Sequence, residues 1–563
     1  MMSDPVTFFF EGEALSARNG QSLAAALTDA GQRVFRHTGK GSPRGVFCGM
    51  GVCQDCLVSV DGQPNQRACM TLARDGALVQ RQVARPELES KADFDGKPAQ
   101  PLAARELTPD VLVIGGGAGG LNAAAVAASA GASVLVLDER KVAGGQYFKQ
   151  PAADAPLLDA QQSDGADLLA AAREAGAELL GGVEIWGAFA GPLLYAVAPD
   201  GTPLVLRPKQ LIVATGAYER PCMVPGWTLP GVMTTGAAQT LWRSYRSLPG
   251  RRVAVCGSGP LNLQVALELA RGGAEVRLVA ESAPSPLKRP ASAMALLLAG
   301  PKLALAGSGM LLGLRRAGVP VHYDTGLAAI AANTDGSLRA TFRRNGREET
   351  TELDALCMND GFEPQNEILR LLGADMHYDP AFGHLRCTRT DSLSTSVDGV
   401  YAVGDCCGLG GAPAAAAEGR IAGAAAAAAC GFATHEDLWS SRQALAGARR
   451  FQKRLWALHD PAPRNLDTLP DDTLICRCEE VTLGQFRNGM ADDADHIGTV
   501  KRVTRVGMGC CQGRYCGPVA ARLVANATGR SLTDHSYFAP RVPIKPVSIG
   551  TLMATQEALD AKA

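Results

Sequence analysis

The sequence predicts an α/β fold: a core of two strand–glycine-loop–helix–strand units, a β-rich domain in front of it and a small α-rich domain behind. Three observations lead there. Three cysteines crowd one N-terminal loop and a fourth follows shortly; two glycine-rich turns each follow an apolar strand and open a helix; and a second cysteine set lies near the C-terminus.

The N-terminal set, Cys48, Cys53, Cys56 and Cys69, reads C-x4-C-x2-C-x12-C, the spacing of a ferredoxin-type 2Fe–2S site. Gly49 and Gly51 let the loop bend and aim backbone N–H groups at sulfur, where such donors help set a cluster's potential. A structural zinc site is the alternative, although zinc usually takes two separated pairs. Val6–Phe10 and Leu57–Val60 read as strands, Asp61-Gly62 as the turn after the second, and residues 22–30 as a short helix. Residues 5–97 thus form an expected β-rich ferredoxin-type domain. Residues 97–106 are the expected linker, which would leave that domain a core of its own.

The first dinucleotide unit begins with an apolar strand at residues 110–114. It enters Gly115-Gly116-Gly117-Ala118-Gly119-Gly120, a G-x-G-x-x-G turn, and a second strand ends at Asp138, 18 residues after Gly120. Gly115 makes the turn, Gly117 lets a pyrophosphate approach the backbone, and Gly120 allows the helix to pack on the strand. The helix N-terminus offers N–H groups to phosphate, and Asp138 is placed for ribose hydroxyls.

Two later segments bear on which nucleotide this is. Residues 211–221, with Ala214-Thr215-Gly216, resemble the A-T-G crossover of two-dinucleotide-domain flavoproteins. Residues 399–405, ending Gly404-Asp405, resemble their second FAD signature. The resemblance implies that FAD occupies the first unit, with Asp405 at the ribityl chain and Gly145 and Gln146 closing over the cofactor. The FAD domain is then expected at 108–245 and 353–432, with a second dinucleotide-binding-like domain at 250–350 inserted. In that second unit Gly257-Ser258-Gly259-Pro260-Leu261-Asn262 puts Asn262 at the third glycine position. The place matching Asp138 falls on Ala280, with Glu281 beside it. Binding of a nicotinamide nucleotide in an unusual way and a packing relic both stay open here.

The C-terminal set is Cys476-Arg477-Cys478, then Cys511 and Cys516, with Cys510 adjacent. Its C-x-C…C-x4-C pattern, within an expected small domain at 465–535, resembles the bacterioferritin-associated-ferredoxin-like domains, which implies a second 2Fe–2S cluster. Zinc, a 4Fe–4S cluster or an emptied site are the alternatives. Lys501, Arg502, Arg505 and Arg514 are expected to offset cluster charge.

Composition narrows the class of protein. The chain has 563 residues, a net charge of −1 and no basic run, so nucleic acid is not an expected partner. Sixteen cysteines and no basic-then-apolar N-terminus fit a reducing, cytoplasmic setting. The most apolar stretch, residues 290–314, reads as a buried helix pair rather than a membrane contact. The remaining cysteines form no C-x2-C pair, which disfavours dithiol reductase chemistry.

In this order the motifs resemble the α-type subunit of hetero-oligomeric amine and amino-acid dehydrogenases, a group that includes hydrogen cyanide synthase, opine oxidase, D-hydroxyproline dehydrogenase and sarcosine oxidase α subunits. The stretches 44–53, 225–232 and 507–509 carry that resemblance. It implies an electron-transferring role beside a D-amino-acid-oxidase-like flavoprotein β subunit, with FMN between subunits in some members and an electron acceptor that the sequence leaves unnamed. The chain ends at Ala563, so the folate-binding extension of sarcosine oxidase α is not expected. A free-standing NAD(P)H:acceptor oxidoreductase is the competing reading.

Overall fold

A computed structural model describes residues 5–83, 102–152, 155–460, 465–490 and 496–560. The N-terminal domain is a five-stranded sheet in the order Glu13–Ala17, Val6–Phe10, Leu78–Arg81, Leu57–Val60, Gln63–Arg67. Asp61 and Gly62 both take positive φ at the hairpin between its last two strands, as a tight primed turn requires. The expected short helix is Leu23–Asp29, capped by the Ser22 side chain on the Ala25 N–H.

The flavin-type sheet is wholly parallel, in the order Glu178–Gly181, Val134–Asp138, Val111–Ile114, Gln210–Val213, Val400–Ala402. Its strand order reverses between Val111–Ile114 and Gln210–Val213, and ligands bind outside the carboxyl ends of strands at such a point. The second parallel sheet runs Val232–Thr234, Ala355–Asp360, Arg252–Ser258, Glu275–Glu281, Val321–His322. It therefore draws strands from either side of the 250–350 stretch. Both parallel sheets follow from apolar strand runs with helices returning over their faces.

Three expectations change. The linker expected at 97–106 lies partly outside the described residues, and its end is not linker: Arg105–Leu107 is a strand that pairs in parallel with Pro203–Leu206. The N-terminal domain does not have a core of its own. Phe8, Leu23 and Val58 share one apolar core with Val253, Leu263 and Leu267 of the second unit, while Phe47 and Cys53 share another with Trp227, Cys476 and Tyr515. Apolar periodicity marks which residues are inside, and it is silent on which domain lies opposite.

Residues 290–314 do form a helix pair, Pro290–Ala299 and Pro301–Arg316, but only Leu296 and Leu314 are buried in it. One side of the pair rests on the Leu438–Leu458 and Pro260–Arg271 helices, and the other faces outward with Leu298 77% and Leu305 64% exposed. Among the described residues no helix is long and apolar enough to cross a membrane.

Candidate functional site: a flavin cleft and two cysteine sets

The glycine turn is built to admit a nucleotide. Gly115 has φ +102°, and a Cβ there would lie 2.4 Å from the Ala214 carbonyl oxygen. At Gly120 it would lie 1.8 Å from the Gly115 oxygen, so only glycine lets the helix close on the strand. Gly117, at the head of the Ala118–Ser129 helix, has no side-chain cap, and a Cβ there would meet only Gly145, at 3.7 Å. The free N–H groups of that first turn and the open space beside them fit a pyrophosphate.

Asp138 ends its strand half-buried, accepting from the Gly116 N–H at 2.7 Å and the Arg140 N–H at 2.7 Å. Burial raises its pKa while those two donors pull it down. Gly145 lies against Gly117 from the closing loop, and Gln146 beside it is exposed. Thr215 donates to the Gln365 carbonyl at 2.6 Å, next to Gly216 at φ +77°. Gly404 is fixed by its N–H to Glu418 Oε2 at 2.7 Å. Asp405 accepts from the Gly410 and Gly411 N–H groups, both at 2.9 Å, through Oδ1, which leaves Oδ2 for a hydroxyl-bearing ligand. These residues fit FAD, which supplies the capacity to take and release electrons.

The second unit differs in kind. Asn262 spans the turn, donating to the Asn359 carbonyl at 3.0 Å and accepting from Thr235 Oγ1 at 2.8 Å. Glu281 accepts from the Gly259 N–H at 3.1 Å and the Ala283 N–H at 2.9 Å. His459 lies across the same turn, its Nδ1 3.3 Å from Glu281 and its carbonyl accepting from Ser258 Oγ at 2.7 Å. Arg289 pins the neighbouring Ala457 and Asp460 carbonyls. The chain's own segment thus occupies the front of this turn.

All four N-terminal cysteines are buried. Among the described residues no three His, Cys, Asp or Glu side chains gather around one point suited to a single metal ion. The thiols face one another in pairs, Cys48 with Cys53 and Cys56 with Cys69. Two cysteines per iron suit a two-iron cluster better than a single zinc, which needs four donors about one centre. Burial pushes the Cys48 thiol up, but hydrogen bonds from Cys53 and from the Met50, Val52 and Cys53 N–H groups bring it down to about 6. Those donors are what a thiolate ligand needs.

At the C-terminus Cys476 lies beside both Cys478 and Cys516, and Cys478 lies 3.3 Å from Cys511. Cys510 is exposed and outside this chain of contacts, so the four thiols that meet are the four whose spacing singled them out. The expected screen of cations is thinner than the sequence implies. Arg505 faces Glu479, Lys501 lies over the Phe538 ring, and Arg514 alone is buried, donating to Tyr218, the Cys511 carbonyl and the Ile544 carbonyl.

Two charged residues inside the motifs escaped the sequence reading. Arg477, between Cys476 and Cys478, donates to Asp55, between Cys53 and Cys56, at 2.5 Å. The signal was a charge at a non-ligand position of each cysteine loop. The flavin loop joins them too: Arg140, two residues after Asp138, donates to the Gly49 carbonyl at 3.3 Å.

The 2Fe-2S iron-sulfur cluster binding domain family matches residues 3–84, pyridine nucleotide-disulphide oxidoreductase matches 109–429, and the sarcosine oxidase A3 domain matches 471–556. The chain belongs to the pyridine nucleotide-disulphide oxidoreductase family and is a FAD-dependent oxidoreductase with an N-terminal 2Fe–2S domain. An opine oxidase subunit of Rhizobium meliloti is 35% identical, over 78% of this chain and 97% of that protein. Subunit HcnB of the Pseudomonas aeruginosa hydrogen cyanide synthase is 30% identical, over 77% of this chain and 96% of its own. Subunit HcnA of the same synthase is 36% identical over 86 residues, 15% of this chain and 83% of that protein. One polypeptide here matches two separate subunits there. The solved L-proline dehydrogenase of P. horikoshii shares the fold at TM-score 0.73, with 22% identity and 98% of each chain covered.

Proposed function

We propose that this chain is the electron-transferring subunit of a multi-subunit amine or amino-acid dehydrogenase. In this reading a partner flavoprotein subunit, of D-amino-acid-oxidase-like type, removes hydride from a C–N bond. The present chain accepts the electrons at FAD, bound by Gly115, Gly117, Gly120, Asp138, Gly145, Thr215, Gly216, Gly404 and Asp405. It passes them through Cys48, Cys53, Cys56 and Cys69, and through a second 2Fe–2S cluster at Cys476, Cys478, Cys511 and Cys516, to an acceptor. The observation that carries the reading is the contact of the two cysteine-bearing loops through Arg477 and Asp55, with the first loop also tied to the flavin loop by Arg140. Relatives that are subunits of oxidases and synthases support it.

Entry of hydride from NAD(P)H at the second glycine turn fits poorly with His459, which lies across its front against Glu281. The test is to purify the chain alone and together with a flavoprotein subunit encoded beside it. The isolated chain is expected to lack amine dehydrogenase turnover, and the pair to have it, with the iron–sulfur signals appearing on substrate addition. Full turnover by the isolated chain, or rapid flavin bleaching by NADH or NADPH, would overturn the proposal.

A further inference from the structure

The two cysteine loops meet through charge and aromatic contact. Arg477 lies 3.9 Å over the Phe47 ring and 4.9 Å over Trp227, and it donates to the Trp227 carbonyl at 2.9 Å as well as to Asp55. Asp55 also meets Arg36 at 3.1 Å and Arg44 at 4.0 Å, and Arg44 reaches Glu480 at 3.1 Å. Arg44 and Asp55 lie in the first cysteine region, Arg477 and Glu480 in the second, so two buried ion pairs cross between them. Phe47, next to Cys48, packs edge-on against Tyr515, next to Cys516, at 5.2 Å between ring centres.

Three guanidinium groups here face two carboxylates, an excess of one positive charge in a low-dielectric interior. An oxidised all-cysteine cluster carries about two negative charges and gains another on reduction, so a fixed charge beside it shifts its potential. A charge lying between two such groups acts on both.

We propose that Asp55 and Arg477 are positioning residues that form one shared charge junction, setting the reduction potentials of the two cysteine-bound centres together. This rests on the reading that both sets hold clusters. Removing the Asp55 carboxylate leaves positive charge in excess and favours the reduced form at both centres. Removing the Arg477 guanidinium leaves Asp55 less compensated and favours the oxidised form at both.

The experiment is an EPR-monitored redox titration of the holoprotein with Asp55→Asn, Arg477→Gln and the double variant, with iron counted in each. Two signals are expected in the wild type. Both should move to higher potential in Asp55→Asn, both to lower potential in Arg477→Gln, and both should return close to wild type in the double variant. Arg477→Lys keeps the charge without the planar stack, so it should hold the potentials near wild type while melting at a lower temperature; this separates charge from folding. Two wild-type signals that stay still, or that move one at a time, would overturn the shared junction. A single wild-type signal, with about two irons per chain, would overturn the two-cluster reading beneath it and the junction too.

Discussion

Glu418 carries the weight of the second flavin signature, and replacing it by glutamine is expected to loosen flavin before anything else fails. It is buried on the Gly411–Ala429 helix, accepts from Arg389 at 2.8 and 3.2 Å and from Arg449 at 2.8 Å, and holds the Gly404 N–H at 2.7 Å. Burial pushes its carboxyl up, but Arg389, Arg449 and the Gly404 N–H hold it below the usual range. Glu418→Gln leaves the Arg389 charge buried without an opposite partner, which costs about 3–5 kcal/mol. At roughly 2–4 °C per kcal/mol for a domain of this size, the flavin domain should melt on the order of 10 °C lower. Release of FAD is read by the rise of flavin fluorescence on heating, with residual bound flavin counted at 25 °C. Because the folded carboxyl is depressed, its stabilisation is present above the unfolded carboxylate pKa and lost as pH falls through the folded value. The acid limb of the wild-type melting curve should therefore flatten in the variant. Adding Arg389→Leu should recover much of the loss, since replacing a whole buried pair is far milder than breaking one. Unchanged flavin release in Glu418→Gln, or no recovery in the double variant, would refute the reasoning.

Two further outcomes are expected. Cys511→Ser should remove one EPR signal and its iron, whereas Cys510→Ser, at an exposed thiol outside the contact chain, should leave both signals intact; equal iron loss in the two variants would mean the ligand set is misassigned. Burial lowers the pKa of Lys149 to about 7, where it donates to the Gly236 carbonyl and Gln239. The unfolded chain binds the proton more readily, so stability should rise with pH between about 7 and the unfolded value near 10.4; Lys149→Met should remove that slope in a pH series of melting temperatures.

The local parts of this protein were legible because their chemistry is local. A strand, G-x-G-x-x-G, a helix and an acid at Asp138 fall within one stretch of chain, and each glycine has a steric reason that a reader of the sequence can supply. The cysteine sets were legible for the same reason, since ligand spacing survives translation into pairs. What could not be read is how the pieces dock. Arg477 and Asp55 are 422 residues apart, and nothing in either neighbourhood names the other. The same blindness gave the N-terminal domain a private core, when Val58 and Val253 lie in a common one. Residues 290–314 show the converse: apolar composition implied burial, while the packing of each helix on one neighbour leaves Leu298 and Leu305 outside.

The sharing of cores between the N-terminal domain and the second unit has a kinetic meaning. A small ferredoxin that is free to leave carries its electron by diffusion, so delivery slows on dilution and in viscous solvent. Here Gly49 lies tight against Ala237, where a Cβ would come within 2.8 Å of the backbone, and its carbonyl is held by Arg140. A domain seated in that way has no stroke to make. On the electron-relay reading its transfer steps are first-order within one rigid body, indifferent to protein concentration, and the acceptor has to travel to the enzyme.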